Sequence, residues 1–447
     1  MTNKPETIPA VKDDLFIYNG RKINDLTVNL VIDFKGLLDE EVLRKAIILS
    51  IQSELILNYK FDAKGIGRPK WRLDKNIDYD SLFTIINVES DEQRLEQTEL
   101  FFSKPLDPAS DNVLKICLIR DQNDSLIFKL SHVVADGGGM VEYIARLANT
   151  YTTLLSDPAY IPPPIEGDRS LKQIYKNFSF IEKLKVIPYS FRVIASRFRP
   201  RGNWSLPLKP GGKDQPRFLR YKLDELSCNY LNKFCKTNNF TIHEVLTALY
   251  FRALHKTIKP KPNTPMRLLS TTNLRRYTKK GIGEAPCNLS SVLIINIGKD
   301  LGINLADTTQ KVHDAVEWQK DSYMGLNSHR TSPLNIKFLP YFLVSGINMV
   351  ASVFSFLVID SATLPPLFTN IGRVTKNVLR FGTQEIIDFY GFAPIPTYPM
   401  SYTGAIGFGD EISLTVAFYN EVIDEEVMQT LFSDMEKDLK NDGSIAI

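Results

Sequence analysis

A mixed α/β (α+β) protein of two similar halves is the expectation for this chain, on three grounds. Its 447 residues exceed what one hydrophobic core ordinarily serves. Short apolar runs and longer runs of helical spacing alternate along it, the mark of mixed strands and helices. A proline-rich and then basic stretch divides it, and the strand and helix patterns resume beyond. These grounds give an N-terminal half over 1–164, a basic linker over 165–215 and a C-terminal half over 216–447.

In the first half, Thr27 to Phe34 alternates as a strand. Asp39 to Leu55 follows with helical spacing, placing Leu43, Ala46, Ile47 and Ile51 on one face. Val113 to Ile119 and Leu126 to Leu130 are apolar runs separated by the polar Arg120 to Ser125, which predicts a hairpin. A helix is expected from about Gly139, with Val141, Ile144, Ala148 and Tyr151 as its buried stripe. The run Ile161 to Pro164 (IPPP) then excludes both helix interior and central strand. Residues 165–215 carry Lys183, Lys185, Arg192, Arg197, Arg199 and Arg201. They read as a solvated connector with an amphipathic helix, a membrane-surface or polyphosphate contact being the sharper alternative.

In the second half, strands are expected at Phe218 to Leu223, Met266 to Thr271, Val292 to Ile297 and Ile412 to Tyr419. Helices are expected at Leu226 to Asn238, at Ile242 to Ile258, and from Asp424 to the end. The uncharged segment 338–359 reaches spanning length. Pro340, Gly346 and Asn348 within it favour buried helices instead.

Composition removes several function classes. Lys plus Arg total 54 against 51 acidic residues, a net charge of +3, which gives no general field for nucleic acid. Four cysteines without a CxxC pair argue against a disulfide framework and a cysteine zinc site. Five scattered histidines show no metal-ligand spacing, so no metal is expected. There is no glycine-rich phosphate loop. The opening MTNKPETIPAVKDD lacks an apolar core of the kind a leader needs, which sets a cytoplasmic expectation, with peripheral membrane contact left open through the basic stretch.

The strongest chemical signal is Ser131-His132-Val133-Val134-Ala135-Asp136-Gly137-Gly138-Gly139. Leu126, Phe128 and Leu130 share one strand face, and two further strand residues would put His132 on it. Asp136 follows in a glycine-rich turn, where unusual backbone angles are permitted, and a helix with free N–H groups begins. An imidazole there can take a proton from a hydroxyl or amine attacking a carbonyl. On the residues alone, a structural histidine and a general base both remain open.

SHVVADGGG resembles the HxxxDG motif of the CoA-dependent acyltransferase superfamily. That superfamily includes chloramphenicol acetyltransferase, plant BAHD enzymes, alcohol O-acetyltransferases, wax ester synthases and peptide-synthetase condensation domains. Further segments resemble its landmarks in order: LRKAIILSIQSELILNYKF, KPLDPASDNVLKICLIR, FTIHEVLTALYFRALHK, RLLSTTNLRRY, APCNLSSVLIINI, LFTNIGRV and YTGAIGFGDEISLTVAFYNEVIDEEVMQTLFSDM. The resemblance implies two chloramphenicol-acetyltransferase-like halves, each a mixed sheet with flanking helices, around a central tunnel. His132 would be the catalytic base and Gly137 the motif glycine. Asp136 would turn away from substrate and pair with an arginine, Arg275 or Arg276. Ser131, Gly138, Thr271, Thr272, Asn273, Thr369 and Asn370 are candidates to line the tunnel. His243 and His255 read as packing or surface residues. Trp71, Trp204 and Trp318 read as core or linker contacts.

Condensation domains usually carry two adjacent histidines, whereas Ser131 precedes His132 here, which shifts weight toward ester formation. DFYGF, Asp388 to Phe392, is only partly similar to the BAHD DFGWG motif and is read as a structural turn. The leading expectation is direct acyl transfer from acyl-CoA, a co-substrate and not a bound cofactor, to a small or lipidic alcohol. A stand-alone condensation enzyme using carrier-protein thioesters, with amide or ester product, is the second reading. A catalytically silent scaffold is the third. A monomer is expected.

Overall fold

The hairpin Leu114–Arg120 (β6) and Asp124–Ser131 (β7) forms where the polar interruption was read, closed by Asp121, whose carboxylate accepts the Asn123 amide at 2.6 Å. This is a computed structural model, and it describes residues 4–64, 67–186, 204–320, 323–326 and 364–444.

The hairpin sits in a five-stranded sheet with Thr27–Lys35 (β2), Phe83–Asn87 (β5) and Glu385–Phe392 (β12), in the order β12-β2-β7-β6-β5. The strand β12 comes from the far end of the chain and pairs antiparallel with β2, from Glu385 against Lys35 to Phe392 against Asn29. DFYGF is therefore strand and not the turn read from the sequence. Its alternation is masked because Ile387 points to solvent at 45% exposure while Phe389 and Phe392 are buried.

Every residue of β7 is buried, as expected for a central strand covered on both faces. Leu126, Phe128 and Leu130 face a core shared with Glu40–Ser53 (α2) and Gly137–Ser156 (α4). Ile127 on the other face joins Val31, Phe102 and Phe392 in a cluster with Ala417 and Tyr419 of the second sheet. The helix α2 is capped by Asp39, which accepts the Val42 amide at 3.0 Å, and buries Leu43, Ala46, Ile47 and Ile51. A small three-stranded sheet, Thr7–Pro9, Lys70–Leu73 and Tyr59–Asp62, completes this half.

The second sheet has six strands in the order β10-β9-β11-β13-β14-β8. These are Ser290–Gly298 (β10), Met266–Asn273 (β9), Leu367–Val374 (β11), Tyr402–Phe408 (β13), Glu411–Tyr419 (β14) and Pro216–Lys222 (β8). It packs on Glu225–Asn238 (α6), Ile242–Ile258 (α7), Leu305–Lys320 (α8) and Glu425–Ser444 (α9). The helix α7 begins where Thr241 and Glu244 form a capping box.

The two sheets are tied at their edges. Arg220 on β8 donates two bonds to Asp388 on β12, at 2.8 and 2.7 Å, and its guanidinium lies 3.9 Å from the centre of the Tyr390 ring.

Part of the linker departs from the solvated connector expected. Asp168, Gln173 and Lys176 all bond to Glu284, and Arg169 is buried. Residues 187–203, and with them Arg192, Arg197, Arg199 and Arg201, lie outside the described residues, as does the whole of 338–359. Among the described residues no helix is long and apolar enough to cross a membrane. Trp71 and Trp204 are core residues, but Trp318 stands 37% exposed on α8.

Candidate functional site

His132 is the first residue after β7. The strand ends at Ser131, so the expected two-residue extension does not occur, but the His132 amide still donates to the Leu26 carbonyl at 2.8 Å. The chain then turns, with the Val134 amide on the Ser131 carbonyl at 2.9 Å, and enters α4. A histidine at this corner has its backbone fixed by the sheet.

The imidazole is held from the other half. Asn288, in the loop before β10, places its Oδ1 3.0 Å from Nδ1 of His132. The Asn288 amide NH₂ donates to the His132 carbonyl at 2.9 Å and reaches the Val133 carbonyl at 3.5 Å. With that end of the amide committed to carbonyls, its oxygen must face Nδ1, and Nδ1 must carry the proton. In the neutral ring this leaves the lone pair on Nε2, the tautomer a general base requires.

Asp136 is the N-cap of α4. Its Oδ1 accepts the Gly139 amide and its Oδ2 accepts the Leu289 amide, both at 2.8 Å. Arg275 closes on the same carboxylate at 2.9 and 3.1 Å. Its Nε bonds to Glu142 at 2.6 Å, and Nη2 reaches the Cys287 carbonyl at 3.2 Å. Arg275 and Asp136 are both at most 6% exposed. Burial alone would push the Asp136 carboxyl up. The Arg275 charge and the bonds from Arg275 and Gly139 outweigh it, and the group ends below its ordinary value. Burial likewise opposes the charge on Arg275, and Asp136 and Glu142 overcome it and raise its pKa.

Arg276 is exposed and donates to the Asn273 carbonyl at 3.1 Å, away from Asp136. The glycines do not adopt unusual backbone angles, contrary to the expectation; all three lie in the first turn of α4. Their need is space. A Cβ on Gly138 would stand 2.9 Å from Nη1 of Arg275, and one on Gly139 2.9 Å from the Cys287 carbonyl. A Cβ on Gly137 would meet Ile371 of β11 at 3.0 Å.

Thr271 on β9 and Thr369 on β11 share a hydroxyl contact of 2.7 Å. Asn273 is exposed and caps the Arg275 amide, and Asn370 accepts the Gly372 amide. Thr272 is 5% exposed with no partner for its hydroxyl. Ser131 is fully buried, and its Oγ also has no hydrogen-bond partner. Cys287 is beside Arg275, but burial pushes its thiol up to about 12, so it is no thiolate. His243 bonds Ser270 at 3.1 Å, and burial drives its imidazole down to about 4. Among the described residues no three His, Cys, Asp or Glu side chains cluster as a metal site.

The structure brings the sequence-predicted Asp136 and Arg275 together beside His132, and adds Asn288 and Glu142, which the sequence did not single out. Asn288 lies within APCNLSS, a segment noted only as a landmark.

No family model and no curated protein matches the sequence. Solved structures do. The first condensation domain of the CDA synthetase superposes with a TM-score of 0.71 at 14% identity, over 98% of this chain and 96% of that one. The TRI3 trichothecene 15-O-acetyltransferase from Fusarium sporotrichioides gives 0.71 at 12%, over 97% and 94%. Polyketide synthase associated protein 5 from Mycobacterium tuberculosis gives 0.64 at 13%, over 97% and 98%. The chain has the two-halved mixed α/β fold of the condensation domain and the acetyltransferase.

Proposed function

We propose that the chain transfers an acyl group from a thioester, with acyl-CoA the leading donor, to an alcohol hydroxyl, and that His132 is the general base. One observation carries the reading. An imidazole at the junction of the two halves has Nδ1 committed to Asn288 and Nε2 left free, in a fold shared with an acetyltransferase.

The acceptor hydroxyl gives its proton to Nε2 as its oxygen attacks the thioester carbonyl. The tetrahedral intermediate collapses with loss of the C–S bond. The proton on Nε2 passes to the departing sulfur, giving free thiol and ester. Asn288 accepts from Nδ1–H throughout and favours the imidazolium that forms between the two steps. Asp136 takes no part in bond making; with Arg275 it holds the turn that carries His132. Transfer is direct in this reading, and it is supported by Ser131, which is buried with no partner at its Oγ to activate it as a nucleophile.

The likeness to condensation domains over 98% of the chain favours a second reading, with a carrier-protein thioester as donor and an amide or ester as product. Thiol release from a panel of acyl-CoAs and from acyl-carrier protein, each with and without alcohol and amine acceptors, separates the readings. Acceptor-dependent thiol release that disappears in His132→Ala supports the first. Turnover only with acyl-carrier protein moves the chain to the second. Neither, with either donor, leaves a silent scaffold.

A further inference from the structure

We infer that Arg169, a linker residue, is a positioning residue for the His132–Asn288 pair, an inference that rests on the general-base reading above. His132 and Asn288 stand on two separate loops from different halves of the chain, 156 residues apart. A contact between two loops holds its geometry only if something fixes both backbones.

Arg169 does so at symmetric points. One Nη2–H donates to the Val134 carbonyl, two residues after His132, at 2.8 Å. Its Nε–H donates to the Pro286 carbonyl, two residues before Asn288, at 2.8 Å. The same planar guanidinium therefore spans both loops.

The guanidinium is itself held rigidly. Asp14 receives Nη1 at 3.0 Å and Nη2 at 2.9 Å. The Asp14 carboxylate also accepts Trp71 Nε1 at 2.7 Å and the Val11 amide at 3.0 Å. Arg169 is 8% exposed and Asp14 0%. Trp71 lies beneath the guanidinium, 5.5 Å from ring centre to Cζ. A lysine supplies the charge but not the fixed fork, so it cannot reach Asp14 and both carbonyls in one plane.

A residue that only adds stability would leave the imidazole proton where it is. A positioning residue would not, because loss of register between Val134 and Pro286 weakens the Asn288 contact that keeps the proton on Nδ1. The test is the ¹⁵N spectrum of the His132 ring in the full-length protein, assigned by its absence in His132→Gln. Wild type, Asn288→Ala, Arg169→Lys and Arg169→Met are compared, with acyl transfer measured alongside.

The expected result is a neutral His132 mainly in the Nδ1–H form in wild type. Asn288→Ala and Arg169→Met should both shift it toward Nε2–H, with Arg169→Lys between. Where turnover is measurable, kcat should fall about 10- to 100-fold in Arg169→Met with KM changed less than twofold. Adding Arg169→Met to Asn288→Ala should change kcat little further. An unaltered tautomer in folded Arg169→Met or Arg169→Lys overturns the inference, even if the melting temperature falls. If Arg169→Met does not fold, the lysine variant decides. If no donor is turned over, the general-base reading fails and the spectrum still reports on Arg169.

Discussion

Asp136→Ala is expected to lower stability as well as activity, and the structure sets the size. The carboxylate caps α4 through Gly139, receives the Leu289 amide and neutralises Arg275. Breaking a buried ion pair by removing one partner costs about 3–5 kcal/mol. Glu142 remains on Arg275 at 2.6 Å, so the low end, about 3 kcal/mol, applies here. Loss of the cap adds about 1 kcal/mol, and the Leu289 N–H left without an acceptor adds about 1 more. One carboxylate makes all these bonds, so the terms overlap and about 4 kcal/mol is the expected total. Because the slope grows with the surface exposed, it exceeds the roughly 3 kcal/mol per molar at the top of the small-protein range for this 447-residue chain, and the urea midpoint should fall by about 1 M. The emission of buried Trp71 and Trp204 follows the transition. Because the folded-state pKa of Asp136 is depressed, its contribution is present above the unfolded carboxyl value and is lost as pH falls through the folded one. The gap between wild type and mutant should therefore narrow in acid. An unchanged midpoint with abolished turnover refutes this reasoning and makes Asp136 a direct participant in the chemistry.

Four further outcomes are expected. His132→Ala should lower turnover by roughly 10²- to 10⁴-fold with an unchanged circular dichroism spectrum, the usual range for a general base; wild-type rates in the folded mutant exclude the role. Asp25, whose carboxyl burial pushes up to about 7, should make the folded state hold more protons than the unfolded state between about pH 4 and pH 7, so stability falls as pH rises through that window. Asp25→Asn keeps the acceptor for Thr27 and Ile395 and should flatten the urea midpoint against pH; an unaltered slope contradicts the shift. Helical residues 180–186 expose Phe180 at 75%, Ile181 at 66% and Leu184 at 47% beside Lys183 and Lys185, and should bring the protein to phosphatidylglycerol vesicles in low salt and release it in high salt; failure to float in low salt removes that contact. Initial rates should be sequential and survive chelators, and an acylated Ser131 peptide after donor alone would overturn direct transfer.

Local physics was readable in the sequence. The bounds of α7 match the expected Ile242 to Ile258, because an apolar helical stripe and the Thr241–Glu244 box are both local signals. The β6–β7 hairpin was legible for the same reason. The start of α4 was read two residues late, since three glycines argue against a helix unless the arginine packed on them is known. Three facts left no local trace. Nothing near Asn288 says that its amide meets an imidazole 156 residues earlier. Nothing near Arg169 says that a linker arginine is buried against Asp14. The DFYGF segment reads as a turn until its partner β2 is known, because strand identity there comes from a pairing across some 350 residues of chain.

That pairing also constrains how the molecule can be made and cut. While β2 waits for β12, the first sheet presents a bare row of backbone donors and acceptors, which invites pairing with another chain. During synthesis this edge stays uncovered until residue 392 has left the ribosome, a long interval in which a chaperone or a neighbouring chain can occupy it. An expression piece ending at residue 164 should therefore aggregate, although it carries the whole HxxxD turn. The same piece supplied with a tethered copy of 385–392 should be far more soluble, because the added strand closes the open side of the sheet.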